Sequence, residues 1–255
     1  MKTRADLLLV ARGLFESRAK ARAAIEAGGV LADGRPVLKP SELLSDAAVL
    51  HATPAHPWVG RGALKLEHAL GLWPVAVEGR VVLDVGASTG GFTEVCLAAG
   101  ARRVYAVDVG RGQLHPSLAD DPRVVRLEGV DARALTVAEI TEPPQLVVCD
   151  VSFIGLAKAL PAALALAAGG ADLVALVKPQ FEVGPERVGK GGLVKDEAAR
   201  AEALAAVAGF LDASGWTVRE TADSPVEGGD GNREYLLWAR KAEKGPPAAM
   251  RTALE

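Results

Sequence analysis

Apolar and polar positions fall into two regimes along this chain. From residue 61 onward, short apolar runs alternate with segments of helical period. The runs 81–84, 103–107, 124–127, 146–149, 173–177, 216–220 and 235–239 predict strands, and helices are predicted over 61–71, 92–100, 154–168 and 196–214. Such alternation predicts an α/β domain with a doubly wound, mainly parallel, seven-stranded sheet. The last two strands carry polar neighbours, which suits an antiparallel hairpin at the sheet edge. Before residue 51 the pattern is different. Asp6-Leu7-Leu8-Leu9-Val10 begins a helix that Gly13 ends, and Ser17 is placed to cap a second helix over 18–27. Gly28-Gly29 stops that helix. Val30-Leu31-Ala32, Asp33-Gly34 and Pro36-Val37-Leu38 then read as a tight hairpin. Residues 51–60 hold prolines without periodicity and read as a linker. The predicted organisation is a small α+β domain over 1–59, an α/β domain over 60–241 and a disordered tail over 242–255.

Composition adjusts this picture in three ways. With 255 residues, 49% of them apolar, the chain can bury a sizeable core. The net charge of −3 does not suggest nucleic-acid binding for the chain as a whole. Residues 1–40, however, carry eight lysines and arginines against four acids, a net of +4, which leaves −7 on the remainder. A basic segment on an acidic body is a local electrostatic footprint. Only Cys96 and Cys149 occur, with no framework spacing, which fits a reducing cytoplasm. Leu7–Val10 runs straight into Arg12 and is too short for a signal segment. The longest apolar stretch, 156–168, contains Lys158 and Pro161 and is too short to span a bilayer, so no membrane partner is expected.

The strand Val81-Val82-Leu83-Asp84-Val85 runs into Gly86-Ala87-Ser88-Thr89-Gly90-Gly91-Phe92. An acid followed by a glycine turn and a helix start is how an α/β protein holds a nucleoside-containing cofactor at the end of its first strand. The dinucleotide fingerprint fails, because Ser88 stands where its second glycine belongs. The phosphate loop fails too, because Phe92 stands where lysine is needed. What remains, Asp-x-Gly-x-x-x-Gly-Gly, resembles motif I of the S-adenosylmethionine-dependent methyltransferases. That resemblance implies S-adenosylmethionine as cofactor. It implies binding by Asp84, Gly86, Ser88, Thr89, Gly90, Gly91 and Phe92, with Asp84 near the methionine part. Asp108, ending the second strand, is placed for the ribose hydroxyls. Asp131, after the third, is placed for the adenine amino group. No metal is called for.

Four further residues bear on the chemistry. Lys65 lies in the helix before the first strand, Asp150 and Lys178 end the fourth and fifth strands, and Glu234 opens a late one. Strand ends at the carboxyl edge meet over the ligand crevice. A lysine directly after Leu-Val-Ala-Leu-Val is hard to place unless it points into that crevice. The Lys-Asp-Lys-Glu order resembles the FtsJ-type 2′-O-ribose methyltransferases. A lysine serves as base where burial and a neighbouring cation favour its neutral form. In this reading Lys178 takes the hydroxyl proton, while Lys65 supplies the second cation and orients the hydroxyl. Asp150 holds the lysines and contacts the cofactor, and Glu234 anchors the network.

Residues 3–50, with Arg4-x-Asp6, Ser17-Arg18-x-Lys20-Ala21 and Gly28-x-Val30-x-x-Asp33-Gly34, resemble the S4 RNA-binding domain. Arg18 and Arg22 share one helix face, and with Arg4, Ser17, Lys20 and Lys39 they make a patch for RNA phosphates. Arg61, Arg187 and Lys190 are further candidates for RNA contact. The two modules together, with Arg-Gly-Ala-Leu-Lys-Leu-Glu, Asp-Val-Ser-Phe-Ile, Leu-Val-Lys-Pro-Gln-Phe-Glu and Gly-Asn-Arg-Glu-Tyr, resemble the TlyA family over residues 3–240. That resemblance implies 2′-O-methylation of cytidine in ribosomal RNA, with ribosomal subunits as partners. Two departures from the family pattern stand out, and the second reduces the expected RNA charge. Gly60-Arg61-Gly62-Ala63 replaces Ser-Arg-Gly-Gly, and Val226–Asp230 lacks basic residues. Arg187, Lys190 and Lys195, in a glycine-rich loop read as a mobile substrate lid, are expected to compensate. Some members of the family are labelled haemolysins, which makes a membrane lysin the rival reading from another class. An RNA-binding protein without activity is a second.

Overall fold

The computed structural model describes residues 1–228 and 231–243. The chain forms two compact units, Met1–Pro57 and Trp58–Glu255.

In the first unit, β1 (Lys2–Arg4) leads into α1 (Ala5–Ala11) and α2 (Arg18–Glu26). After these come β2 (Val30–Ala32), β3 (Arg35–Pro36), β4 (Leu43–Ser45) and β5 (Leu50–Ala52). Ser17 caps α2 by accepting from the Lys20 amide at 3.3 Å. The hairpin turns on Asp33 and Gly34, both at positive φ. β2 pairs antiparallel with β3 and with β5, and β1 with β4. The linker expected over 51–60 is therefore corrected at its start. Residues 51 and 52 belong to β5, because Val30↔Ala52 and Ala32↔Leu50 pairing satisfies their backbone groups. Leu8, Leu9, Phe15, Ala24, Ile25, Val30 and Val37 form the core.

The second unit opens with α3 (Ala63–Leu72) and β6 (Val81–Val85). It continues through α4 (Gly91–Ala98), β7 (Arg103–Asp108), α5 (Pro116–Ala119), β8 (Val124–Glu128) and β9 (Leu146–Cys149). Then come α6 (Leu156–Ala159), α7 (Pro161–Leu166), β10 (Asp172–Val177), α8 (Pro179–Glu182), α9 (Glu197–Ala213), β11 (Trp216–Asp223) and β12 (Tyr235–Lys241). The sheet order is β11-β12-β10-β9-β6-β7-β8, with only β12 antiparallel to its neighbours. Chain order reverses direction between β6 and β9, where a doubly wound sheet opens its ligand crevice. Each of the seven expected strands is present within a few residues of its expected bounds. The helix expected over 154–168 is broken into α6 and α7. Pro161 lacks an amide hydrogen for a continuous helix and instead takes the first position of α7. β11 forms one edge, and its register with β12 shifts between Val218 and Glu220, leaving Arg219 as an unmatched residue. Of the expected tail, residues 244–255 lie outside the described residues.

Candidate active site

The glycine loop joins β6 to α4, and three constraints shape it. Gly86 has φ +85°, and a side chain there would come within 2.8 Å of the Asp150 carbonyl. Ser88 sits at φ +48°, a conformation usually left to glycine. Its amide donates to Asp108 Oδ2 at 2.8 Å, which ties the loop to the end of β7. Gly90 has φ +97°, and a Cβ there would strike Leu118 of α5. Gly91 starts α4 against the backbone of Ala63.

Two cavities adjoin this loop and share Gly86, Ser88, Asp150 and Ser152. The larger, about 500 Å³, lies over the ends of β6 to β9, with Val107, Val109, Val130, Ala132 and Ile154 as apolar walls. Its polar lining includes the carboxylates of Asp108, Asp131 and Asp150. Among the described residues of that lining Arg133 is the sole lysine or arginine, and it is paired with Asp131 at 2.5 Å. Three acids and one committed cation would repel a pyrophosphate and suit a nucleoside of neutral or positive charge. S-adenosylmethionine fits this donor set.

The placement of each expected cofactor residue is uneven. Asp108 lines the large cavity, and its two oxygens accept the amides of Ser88 and of Gly110, the latter at 2.7 Å. Asp131 lines it too, capping a 3₁₀ turn and held at about pKa 2 by hydrogen bonds from Arg133. Gly86 and Ser88 line both cavities, while Thr89, Gly91 and Phe92 line the smaller one. Gly90 and Asp84 line neither. Asp84 is wholly buried beneath the loop, and its Oδ2 accepts from Thr93 Oγ1 at 2.7 Å. Burial raises this carboxyl to about 7. Thr93 was not foreseen, and its spacing of nine from Asp84 is the one signal in the sequence that could have pointed to it.

The smaller cavity, about 310 Å³, gathers Arg61, Lys65, Asp150, Ser152 and Lys178 around the loop. Lys65 projects from α3 and pairs with Glu234 at 2.5 Å, both side chains being almost fully buried. Lys178, at the end of β10, pairs with Asp150 Oδ1 at 2.6 Å and donates to Ser152 Oγ at 2.9 Å. The four expected catalytic residues thus meet as two ion pairs, three of the four on one cavity. Two neighbours escaped the sequence reading. Ser152 is small and uncharged. Phe153 is 90% exposed at φ +66° beside the larger cavity, its ring 5.3 Å from that of Phe181.

The expected RNA residues of the first unit are mostly tied to acids. Arg4 and Arg18 both bind the buried Asp6, at 3.0 and 2.8 Å. Lys20 pairs with Glu16 and Arg22 with Glu26, each at 2.7 Å. Lys39 is exposed. The hydroxyl of Ser17 is spent on its helix cap. In the second unit Arg61 is exposed on the smaller cavity, Arg187 pairs with Asp196 and Glu202, and Lys190 is exposed. The 186–195 loop is pinned by buried Asn232, which accepts from the Val194 amide at 2.9 Å and donates to the Gly192 carbonyl at 2.8 Å.

A doubly wound sheet with a glycine loop, three acids at its strand ends and an adjoining lysine cavity defines the S-adenosylmethionine-dependent methyltransferase class. A profile of FtsJ-like methyltransferases matches residues 58–241, and one of S4 domains matches residues 3–50. The 16S/23S rRNA (cytidine-2'-O)-methyltransferase TlyA of Mycobacterium tuberculosis is 50% identical over 94% of this chain and 90% of that protein. The Bacillus subtilis protein called "Putative rRNA methyltransferase YqxC" is 44% identical over 96% of this chain and 89% of its own. A solved structure called "Putative hemolysin" from Streptococcus thermophilus superposes with a TM-score of 0.75. It is 40% identical and covers 94% of this chain and 89% of that one. The chain belongs to the TlyA family of FtsJ-like methyltransferases, enzymes that take their methyl group from S-adenosylmethionine. Among the described residues no helix is long and apolar enough to cross a membrane.

Proposed function

We propose that this protein methylates the 2′-hydroxyl of cytidine in ribosomal RNA, in the cytoplasm, with Lys65, Asp150, Lys178 and Glu234 as its reaction centre. The observation that carries this reading is the convergence of Lys65, Asp150 and Lys178 on a cavity that shares four residues with the cofactor cavity. The rRNA substrate rests on the names of relatives 50% and 44% identical over nearly the whole chain.

When bound, S-adenosylmethionine supplies an electrophilic methyl group on a sulfonium. Asp108 and Asp131 would hold its nucleoside part, and Asp150 stands where the two cavities join. Asp84 acts one layer below, fixing the loop through Thr93. A ribose 2′-hydroxyl is a poor nucleophile, so its proton must leave as the methyl group arrives. Lys178, in its neutral form, accepts that proton at Nζ. Lys65, held by Glu234, donates to the hydroxyl oxygen and sets its direction. Bringing hydroxyl and methyl into line between these adjoining cavities supplies much of the rate. Phe153 offers an exposed ring on which an unstacked nucleobase can rest. The basic residues of the first unit would exchange their carboxylate partners for phosphates, positioning RNA without reading its sequence.

Mapping 2′-O-methyl groups on ribosomal RNA from cells with and without the protein tests this reading. Cytidine methyls that vanish without it are expected. An unchanged map, or one altered only at bases, overturns it. Liposome leakage by the purified protein would favour the lysin alternative.

A further inference from the structure

Ser152 has no place in the Lys-Asp-Lys-Glu scheme, yet among the described residues its hydroxyl accepts a hydrogen bond from the Lys178 nitrogen. Nζ pairs with Asp150 Oδ1 at 2.6 Å and donates to Ser152 Oγ at 2.9 Å. Both partners follow β9 and are two residues apart. Lys178 follows β10, which pairs in parallel with β9 from Asp172↔Leu146 to Ala175↔Cys149. The loop carrying Ser152 is fastened to the segment after Lys178 at two more points. Glu182 Oε1 accepts from the Leu156 amide at 2.8 Å, and the rings of Phe153 and Phe181 lie against one another. The serine and the lysine are thus fixed by paired strands and by a clamped loop.

We propose that Ser152 is a positioning residue that aims the Lys178 nitrogen at the acceptor hydroxyl. This rests on the reading of Lys178 as the base. A lysine nitrogen has four tetrahedral directions, and its bond to Cε takes one. The hydrogen bond to Ser152 Oγ takes a second, while Asp150 Oδ1 holds the nitrogen by charge. In the neutral amine the N–H aimed at Ser152 Oγ confines the lone pair to the two directions that remain. All three residues line the smaller cavity, where the acceptor hydroxyl would enter. Held by Asp150 alone, the nitrogen would turn about the Cε–Nζ bond and its lone pair would sweep past the hydroxyl. The second contact removes that freedom. In the step itself the hydroxyl proton passes to the lone pair. The oxygen bonds the methyl carbon, and the carbon–sulfur electron pair stays on sulfur. The products are a methyl ether, a neutral thioether and a charged Lys178, so one positive charge is kept throughout.

The test uses the full-length protein, labelled S-adenosylmethionine and ribosomal subunits from cells lacking this methyltransferase. Ser152→Ala and Ser152→Cys are expected to lower the single-turnover rate about tenfold, the effect of one lost hydrogen bond. KM for the subunits and cofactor affinity by calorimetry should stay within about twofold of wild type, since only transition-state alignment is lost. Ser152→Thr, which keeps the acceptor oxygen, is expected to retain the wild-type rate. Should the alanine variant fail to fold, the cysteine and threonine variants decide the matter. Wild-type rates in the alanine or cysteine variant overturn the proposal. So does a rate loss matched by an equal loss of cofactor affinity, or a threonine variant as slow as alanine. These outcomes leave the base assignment standing if Lys178→Ala is inactive. A fully active Lys178→Ala removes the base assignment itself.

Discussion

The two units use the same chemical device, a basic side chain bound to a carboxylate, in opposite settings. In the first unit Lys20–Glu16 and Arg22–Glu26 are one-turn pairs on the exposed face of α2 and at its start. Water and salt screen such pairs, which contribute little to stability and open readily. In the second unit Lys65–Glu234 and Lys178–Asp150 are buried pairs whose members lie 169 and 28 residues apart in the chain. There each charge is tolerable because its partner is present. On the proposed reading, an ion pair in the first unit is a reserve of charge that a phosphate can claim. On the same reading, the buried pairs of the second unit serve to hold one nitrogen still. Asp6, held far below the usual carboxylate range by Arg4 and then Arg18, stands between these cases, a buried acid serving two exposed arginines.

Substitutions can break this contrast. Lys178→Ala should lower methyl transfer about a thousandfold, the scale of a lost general base, while leaving cofactor binding measurable. Glu234→Ala should destabilise the second unit by about 3 to 5 kcal/mol in urea titrations, because the Lys65 ammonium is left buried without a partner. Gly86→Ala should cost at least about 2 kcal/mol by the same measurement, from the left-handed backbone and the approach to the Asp150 carbonyl. Asp84 sharpens the contrast through pH. Its folded carboxyl titrates near 7, above the ordinary range, so the folded chain keeps a proton that the unfolded chain has released. Stability should therefore fall as pH rises from about 4 to 7. Asp84→Asn should flatten that slope in denaturation curves taken across the window. The smallest effect is expected on the surface. Arg22→Ala should leave the thermal midpoint where it is, yet reduce the salt dependence of RNA binding by about one unit of slope.

Much of the second unit was legible because its strands are short apolar runs cut by glycine and proline, a pattern that survives without tertiary information. The strand-end positions of Asp150 and Lys178 followed from the same pattern. The helix over 154–168 was misjudged because apolar composition outweighed Pro161. In the first unit β1, β4 and β5 have three residues each, too few to display alternation, and β5 was hidden in what looked like linker. The partners of the basic residues were the least legible feature. Arg18 meets Asp6 only because α1 packs on α2, and no local spacing announces a contact twelve residues apart. Asp84 was expected at the ligand and lies under the loop, because the strand's alternation points its side chain toward Thr93 of α4.

The irregularity at Arg219 bears on how these molecules behave in company. A regular outer strand offers a row of unsatisfied amides and carbonyls to any other strand that drifts past. Here the outermost strand is kinked by an extra residue, with the exposed charges of Arg219 and Glu220 at the kink. The opposite flank, β8, carries exposed Arg126 midway along its length. Neither rim is a flat apolar template, so the sheet resists growth by strand addition at both ends, and crowding should favour separate chains over fibrous aggregates.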